Sequence, residues 1–299
     1  PAKKKLLRLQ LRARLGARRM PSTADSPLSF GVIGLGRMAQ ALVTPWLEAG
    51  LLQREQLQLS VASEASAQAL RQRFGCPVHT EPSACLAVSE LLLALKPQQL
   101  DGLVEQLGGR TAIAAAAANR AEPPLLISVL AGVSSERLQD CFPGWRVVRT
   151  VPNTPALVRQ GLVGLAFGDG LSPEQQQRVQ TLFAAVGEVL ELPESQLPAF
   201  LALTSSGPAF VALVAEALAD GAVAAGLPRA RAHHLAHRTL AGTAALLFEQ
   251  DLHPGELKDM VSSPAGATIA GIRVLEQSNS RSALIEAVVR AAERSRELG

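Results

Sequence analysis

The chain has 299 residues, of which 47% are hydrophobic and 18% are charged. This composition excludes a disordered chain and a fibre, and the length allows one large domain or two ordinary ones, each with a buried core. Three cysteines, none in a C-x-x-C or Cys/His cluster, argue against a disulfide scaffold or a metal site and favour a reducing, cytoplasmic location. No apolar run approaches the roughly 18–20 residues of a membrane span, so none is predicted.

The formal charge of +3 comes from the start of the chain. Residues 1–19 hold eight basic and no acidic residues, and the remaining 21 basic and 26 acidic residues carry a charge of −5. We expect residues 1–27 to be a basic extension. Its alternation of Leu with Lys and Arg leaves open an amphipathic helix at a membrane surface or an organelle-targeting segment. The rest of the chain is mildly acidic and poor in aromatic residues, so nucleic-acid binding is not expected.

Short apolar segments alternate with helical patterns from residue 28 to residue 192. A first strand ends in glycines before residue 37, and further strands are predicted at 57–62, 91–95, 125–130, 147–151, 163–167 and 187–192. Helices are predicted at 37–49, 63–74, 98–107, 134–141 and 173–186. This alternation is typical of an α/β domain with a parallel sheet that helices cover on both faces.

The pattern changes near Pro193, and residues 193–299 are predicted to form an all-α domain. Its helices are expected at 208–225, 228–250, 267–277 and 281–298. The first of these is apolar around its circumference, and one small bundle can hardly bury such a helix on all sides. We therefore expect a homodimer or a larger oligomer. The alternative is a central helix buried within one subunit.

A glycine-rich turn follows the first strand. The segment Gly34, Leu35, Gly36, Arg37, Met38 and Ala39 has the pattern G-x-G-x-x-A and opens a helix. Glycines allow a tight turn and a close approach of the backbone to a pyrophosphate, which the N–H groups and dipole of the helix N-terminus then bind. The sequence therefore predicts a dinucleotide site of the Rossmann type.

The end of the second strand leaves the cofactor open. Glu64 is placed to bind a ribose 2′-hydroxyl and to repel a 2′-phosphate, which would favour NAD. Ser63 and Ser66, with Arg37 as a cation, are placed to hold the phosphate of NADP instead. Alternatively, Glu64 is an exposed acid of the first helical turn.

Three further segments follow predicted strands at the edge where open α/β sheets bind ligands. Lys96 is placed to reach the ribose or nicotinamide, and the amide of Asn153 is placed to meet the carboxamide. The alternatives are a solvated lysine and an ordinary turn that prolines make rigid. The cofactor residues expected at these strand ends are Ala94, Lys96, Pro97, Ala131, Gly132 and Asn153.

Together these motifs resemble pyrroline-5-carboxylate reductases over residues 30–297. The resemblance is carried by segments 34–39, 94–97, 128–132, 151–156, 205–209 and, most specifically, 253–269 with the sequence HPGELKDMVSSPAGATI. It implies reduction of 1-pyrroline-5-carboxylate to L-proline, the last step of proline biosynthesis, with NADPH or alternatively NADH. It also implies a Rossmann domain followed by a helical dimerisation domain, and dimers that often assemble into decamers.

The resemblance also implies a substrate site between the nicotinamide and the loop 262–268, near the dimer interface. The matched positions are Ser263, Gly266 and Ala267 for the substrate carboxylate, Thr268 for the ring nitrogen, and Glu194 near the ring. A loop that enters a helix suits a carboxylate because it offers free N–H groups and hydroxyls. The alternative is that Ser263 and Thr268 merely cap the helix. We name no catalytic acid, because a protonated cyclic imine needs little acid assistance.

Two positions depart from the family pattern. Ala265 stands where the family usually has glycine, and we expect its methyl group to narrow the loop or to force φ to a negative value. Glu81 lies in a stretch where relatives often carry Asn near the adenine ribose.

Other functions are compatible with the same architecture. A related imine reductase or a 3-hydroxyacid dehydrogenase would share both domains, and Lys258 would be the acid of the latter. A nucleotide-sensing binding protein would use the fold without turnover. His233 and His237, beside His234 on one helix, have the i, i+4 spacing of a metal site but no third ligand, so no metal is predicted.

Overall fold

The computed structural model describes residues 29–118 and 120–298. The basic extension, with its predicted membrane-surface or targeting role, lies outside these residues. The chain divides into two compact units, of which the first runs up to Pro208 and includes the segment from Ala287 onwards, while the second comprises Ala209–Glu286. The domain boundary predicted near Pro193 is not the boundary between these two units, because Pro193 lies inside the first unit. The predicted boundary stays a prediction.

The first unit is built on an eight-stranded sheet. Its strands are β1 (Phe30–Ile33), β2 (Leu57–Ser60), β3 (Val78–His79), β4 (Glu90–Leu93), β5 (Leu125–Ser128), β6 (Arg146–Val151), β7 (Gly161–Phe167) and β8 (Gly187–Glu191). Their order is β3-β2-β1-β4-β5-β6-β7-β8, and every neighbouring pair is parallel except β6 and β7. In register, Phe30 of β1 lies opposite Leu57 of β2 and Glu90 of β4, so β1 is a central strand.

The predicted parallel sheet is confirmed for every neighbouring pair except β6 and β7. The connection between β6 and β7 is a short helical turn, Thr154–Val158, which ends at Arg159 with a φ of 58°. So short a connection can reverse the chain, whereas a parallel crossover needs about a dozen residues or more. The helix between β7 and β8 provides such a crossover, and these two strands are parallel.

Helices flank this sheet. They are α1 (Arg37–Glu48), α2 (Glu64–Phe74), α3 (Leu100–Gln106), α4 (Gly109–Ala118), α5 (Ser135–Cys141), α6 (Pro173–Ala184) and α7 (Leu197–Leu201). Sequence analysis missed α4, whose alanine run has no clear apolar period, and it also missed α7 and the two-residue strand β3. A π-helical turn, Ala202–Ser206, continues α7 into the next helix.

Capping residues set both ends of α2, which follows β2. The Ser63 hydroxyl accepts the N–H of Ser66 at 3.3 Å, and Gly75 ends the helix with a left-handed φ of 65°. Ser63 is therefore the N-cap, while Ser66 lies within the first turn.

Apolar layers cover both faces of the sheet. On one face Trp46 makes edge contacts with Phe30 and Phe183, at ring-centre distances of 5.7 and 5.5 Å, and its indole N–H donates to the Leu182 carbonyl. On the other face Trp145 packs with neighbouring apolar side chains around α5. Burial on both sides explains why the central strands β1, β4 and β5 are almost entirely apolar rather than alternating.

The second unit is helical over its described residues. Its helices, two of which extend into the first unit, are α8 (Gly207–Ala224), α9 (Arg229–Gln250), α10 (Pro254–Met260), α11 (Ala267–Gln277) and α12 (Ser280–Glu297). Sequence analysis missed α10. Pro228 is the N-cap of α9.

Helix α8 leaves most of its apolar surface exposed. Only Ala215 and Ala219 are buried, while Val211 and Leu213 are 54% and 67% exposed. The alternative of a central helix buried within one subunit is therefore wrong. The helical run Glu194–Ala224 is also long and apolar enough, by length and composition alone, to cross a membrane. It is not an unbroken apolar run, because polar residues such as Thr204 and Ser205 interrupt it, and the prediction that no segment spans a membrane stays a prediction.

Candidate active site

A cleft of about 1090 Å³ opens at the carboxyl ends of β1, β2 and β4. The predicted cofactor residues that line it are Gly34, Leu35, Gly36, Arg37, Met38, Ala94 and Lys96. Gln99, Gly102 and Gln106 also line it, from the turn before α3 and from α3 itself. This edge of the sheet is where open α/β folds bind their ligands.

The glycine turn can be built only from glycine at its first position. Gly34 has a φ of +90°, its N–H donates to the Ser60 carbonyl at 2.9 Å, and a Cβ atom there would lie 2.6 Å from the Ala94 carbonyl oxygen. The turn is therefore packed tightly between β2 and β4, which fixes the direction in which α1 leaves the sheet.

The second glycine faces open space. A Cβ atom on Gly36 would meet nothing within 4 Å, and Gly36 is the N-cap of α1 with no side chain bonded to the helix end. The first helical bond runs from the Gln40 N–H to the Gly36 carbonyl at 2.9 Å, so the preceding N–H groups of α1 are available to an anion. An open cradle in front of a helix N-terminus fits the pyrophosphate of a dinucleotide.

The cleft is positively charged. Its lining holds Arg37, Arg73 and Lys96 but, among the described residues, no carboxylate. Glu64 lies outside the lining, where it accepts from Arg71 at 2.5 Å. The interpretation of Glu64 as a ligand of a ribose 2′-hydroxyl is therefore not supported.

The loop before α11 holds the other predicted site. The Gly266 N–H donates to the Ser263 carbonyl at 3.0 Å, and Gly266 is the N-cap of α11 without any side-chain cap. The alternative that Ser263 and Thr268 cap this helix is therefore wrong. Both residues are exposed, beside a helix end whose first N–H groups have no intrahelical partner.

Ala265 adopts the backbone conformation expected of the glycine it replaces. Its φ is +57°, in the left-handed region that L-residues seldom occupy. The expectation that the methyl group would force φ to a negative value is wrong. The loop therefore keeps its shape at a cost in backbone strain.

Comparisons with known proteins agree with both halves of this arrangement. A family model described as pyrroline-5-carboxylate reductase dimerisation matches residues 194–298, and one described as NADP oxidoreductase, coenzyme F420-dependent, matches residues 29–132. A pyrroline-5-carboxylate reductase of Synechocystis is 43% identical over 91% of this chain and 98% of its own length. One of Methanosarcina acetivorans is 40% identical over 90% and 97%. The chain belongs to the pyrroline-5-carboxylate reductase family.

A solved structure supports the same assignment at the level of the fold. The pyrroline-5-carboxylate reductase of Coxiella burnetii is 28% identical, with a TM-score of 0.78 over 92% of this chain and 99% of that one. The N-terminal Rossmann-type domain and the C-terminal dimerisation domain expected from the sequence are confirmed.

Some predicted cofactor residues of this family member do not line the cleft. Ala39 is a buried residue of α1, Ser63 serves as the cap of α2, and Pro97 begins the turn before α3. Ser66 does line the cleft, and its hydroxyl lies 2.9 Å from that of Ser63.

Asn153 has a structural role in this reductase. It is buried, its amide N–H donates to the Thr204 carbonyl at 2.9 Å, and its amide oxygen accepts from the Leu162 N–H at 2.9 Å. Both ends of the amide are thus occupied within the protein. The hypothesis that Asn153 binds the carboxamide is corrected: it ties the end of β6 to β7 and to the π-helical turn.

The turn at Ala131 and Gly132 packs against the end of α12. A Cβ atom on Gly132, whose φ is +81°, would lie 2.8 Å from the Ser295 carbonyl oxygen and 2.9 Å from the Leu298 Cβ. The prediction that these two residues contact the cofactor is untested, and the close packing gives Gly132 a structural reason to be glycine.

Glu194 is held by an ion pair inside the first unit. Its carboxylate accepts from Arg149 at 2.6 Å and from the Ser135 N–H at 2.8 Å. Burial acts to raise the pKa of Glu194, but the hydrogen bonds from Ser135 and the Arg149 guanidinium outweigh it and hold the pKa below its ordinary value. The carboxylate is therefore charged and fixed, and its predicted place near the substrate ring stays a prediction.

The remaining candidates lie outside the cleft. Glu81 is exposed, next to the cleft residues Thr80 and Pro82. The rings of His233 and His237 are 6.3 Å apart, and no group of three metal-binding side chains occurs in the part of the chain that the structure describes.

Among the cleft residues that sequence reasoning missed are Gln40 and Arg73. Gln40 lies one residue beyond the glycine motif, so the motif could have pointed to it. Arg73 comes from the far end of α2, and only the packing of α2 beside α1 brings it to the glycine turn.

Proposed function

We propose that this chain reduces 1-pyrroline-5-carboxylate to L-proline by hydride transfer from NAD(P)H, the last step of proline biosynthesis. Membership of the pyrroline-5-carboxylate reductase family carries the proposal. The cleft at the glycine turn and the loop before α11 provide residues for the two reactants.

The cleft binds the dinucleotide. The open cradle at Gly36 and the N–H groups that begin α1 hold the pyrophosphate, while Ala94 and Lys96 follow β4 on the opposite side of the turn. The bound nicotinamide supplies a hydride. The protein supplies position, because the distance and alignment of donor and acceptor govern such a transfer.

The loop before α11 binds the substrate. The hydroxyl of Ser263 and the free N–H of Ala267 hold the carboxylate beside Gly266, whose own N–H is bonded to the Ser263 carbonyl, and the Thr268 hydroxyl orients the ring nitrogen. These groups are donors beside a helix N-terminus, which favours an anion. The imine binds in its protonated form, so no residue is required as a catalytic acid.

The exposed apolar surface of α8 and its neighbours serves dimerisation. Residues 194–298 match the dimerisation model, and the same stretch holds the helical run that is apolar enough to cross a membrane. We assign this surface to pairing with a second copy of the chain rather than to contact with a membrane. We further propose that the dimers assemble into decamers. The location of the enzyme is proposed to be cytoplasmic.

The purified chain tests this function directly. We expect NADPH absorbance to fall when 1-pyrroline-5-carboxylate is added, with L-proline formed in equal amount. Oxidation of NADPH in the presence of a 3-oxoacid, but not in the presence of the cyclic imine, would identify a 3-hydroxyacid dehydrogenase instead. Dinucleotide binding without oxidation of either kind would identify a nucleotide-binding protein.

A further inference from the structure

Arg73 is connected to the glycine turn through one side chain. Its guanidinium donates to the amide oxygen of Gln40, and the Gln40 amide N–H donates to the Leu35 carbonyl at 2.9 Å. Leu35 is the middle residue of the G-x-G segment, so Gln40 holds the guanidinium at a fixed place beside the turn. An arginine near the C-terminal end of α2 is thereby brought into the cofactor cleft.

The residues on the cleft side of α2 form one helical face. Ser66, Ala69, Leu70 and Arg73 all line the cleft, and their spacing of three and four residues places them in a row along the helix. The row starts beside Ser60, Val61 and Ala62 at the end of β2, where the adenine ribose lies in Rossmann folds.

The charge of Arg73 is available to a ligand. Across residues 29–118 and 120–298, no carboxylate lies within ion-pair distance of it. Glu64, the acid that follows β2, is paired with Arg71 and lies outside the cleft lining. The acid that would repel a phosphate on the ribose is thus neutralised.

We propose that Arg73, positioned by Gln40 and assisted by Ser66, binds the 2′-phosphate of the adenine ribose and makes this chain select NADPH over NADH. The inference rests on the proposed use of a nicotinamide dinucleotide and adds the residues that choose between its two forms. Arginine suits this role because its planar guanidinium donates two parallel hydrogen bonds to a phosphate.

The test is the affinity of the purified full-length chain for four nucleotides, measured by isothermal titration calorimetry. We compare 2′,5′-ADP with 5′-AMP, and NADP⁺ with NAD⁺, in the wild type and in Arg73→Gln. Loss of a charge-assisted bond predicts at least about tenfold weaker binding of 2′,5′-ADP and NADP⁺. Binding of 5′-AMP and NAD⁺ should change less than about twofold.

Arg54→Gln is the matched control. Arg54 donates to the Phe74 carbonyl at the same end of α2 but does not line the cleft. Removing this charge should leave all four affinities within about twofold. If both variants weaken 2′,5′-ADP binding equally, the effect is one of general charge and the assignment to Arg73 is overturned.

Gln40→Glu is a second variant that tests the positioning. It places a carboxylate beside the Arg73 guanidinium without changing the size of the side chain, but it also removes the N–H that bonds the Leu35 carbonyl. Binding of 5′-AMP reports the effect on the glycine turn, and binding of 2′,5′-ADP should weaken by a larger factor. Thermal unfolding confirms that each variant is folded, and Gln40→Glu decides the matter if Arg73→Gln does not fold. Unchanged preference for NADP⁺ in Gln40→Glu would contradict the inference.

The two proposals can fail separately. Reduction of the cyclic imine with no loss of 2′,5′-ADP affinity in Arg73→Gln would overturn the role of Arg73 and leave the function standing. Arg73-dependent binding of 2′,5′-ADP without imine reduction would overturn the function and leave the phosphate site standing.

Discussion

Individual residues of the substrate loop combine free donors with a strained backbone. Ser263 and Thr268 are exposed and are not used to cap α11, while Ala265 holds a left-handed φ of +57°. If the loop binds substrate as proposed, it is shaped beforehand, and its hydroxyl groups remain available to the ligand. Pre-organisation of this kind lowers the cost of binding.

Replacing Thr268 with Ala should lower kcat/KM for the cyclic imine by about ten- to a hundredfold, because one oriented hydrogen bond to the reacting ring is lost. The dissociation constant of NADP⁺ should stay within about twofold. Steady-state kinetics and cofactor titration measure both quantities.

Ser262→Ala is the control for that experiment, since the Ser262 hydroxyl already donates to the Lys258 carbonyl at 2.7 Å. It should retain kcat/KM within about threefold, the loss of a bond made inside the protein being only modest. Equal losses in both variants would show that the loop is merely perturbed, and the role of Thr268 would fall.

Ala265→Gly should stabilise the protein by up to about 1 kcal/mol. Glycine removes the backbone strain that alanine has at a left-handed φ. The higher conformational entropy of the unfolded chain with glycine offsets part of this stabilisation. The midpoint of chemical unfolding measures the change. A loss of stability of comparable size would mean that the alanine methyl makes contacts which outweigh the strain.

The elements of the first unit are tied together at the ends of its strands. Arg149 of β6 and the N–H of Ser135 in α5 both bind Glu194, which begins the helical run that leads to α8. Gly132, after β5, packs on the end of α12. These contacts join segments that are far apart in sequence. They fix the start of the helical run at Glu194 and the end of α12 against the sheet domain.

Glu194→Gln should destabilise the protein at neutral pH. Because the folded-state pKa of Glu194 is lowered, its contribution is present above its ordinary pKa of 4.5 and is lost as the pH falls through the folded value. The difference in unfolding free energy between wild type and variant should therefore shrink below about pH 4.5. A difference that is constant from pH 7 to pH 3.5 would contradict this role.

Gly132→Ala should lower the free energy of unfolding by about 1–3 kcal/mol. The new methyl group would clash with the Ser295 carbonyl, and the alanine would have to adopt a positive φ. Gly50→Ala separates the two effects: Gly50 has a φ of +69° but nothing lies within 4 Å of its Cβ position. It should cost only about 1 kcal/mol from backbone strain. Equal costs, measured by urea unfolding, would show that the packing against α12 is unimportant.

Elements fixed by nearby residues could be predicted from the sequence, and those fixed by distant ones could not. Ser63 and Gly75 mark the ends of α2, and Gly34 and Gly36 mark the cofactor turn, because caps and tight turns depend on local backbone geometry. Asn153 was misassigned because its partner Thr204 lies 51 residues away. Arg73 was missed for the same reason, since its partner Gln40 lies 33 residues before it.

The whole molecule needs a partner for its second unit. The helices there expose large apolar side chains, which in a monomer would be unfavourable in water. The large apolar residues that are more than half exposed in the second unit are Val211, Leu213, Phe248, Met260, Val261, Val274, Leu275 and Ile285. We propose that pairing with a second chain covers this surface, since the family model that matches residues 194–298 describes a dimerisation domain.

Leu213→Glu should convert the oligomer to smaller species, because it places a charge within the proposed interface between two chains. Light scattering after size-exclusion chromatography measures the mass. Leu157→Glu is the control, since Leu157 is equally exposed but lies in the first unit. An unchanged mass for Leu213→Glu, or an equal drop for both variants, would contradict the assignment of α8 to the interface.

The transfer of a labelled hydride tests the proposed reaction most directly. The purified chain is given 1-pyrroline-5-carboxylate and NADPH that is deuterated at the transferable position of nicotinamide carbon 4, and the product is analysed by mass spectrometry and NMR. We expect L-proline with a single deuterium on carbon 5, formed in proportion to the cofactor consumed. Oxidation of the cofactor without labelled proline would contradict the account.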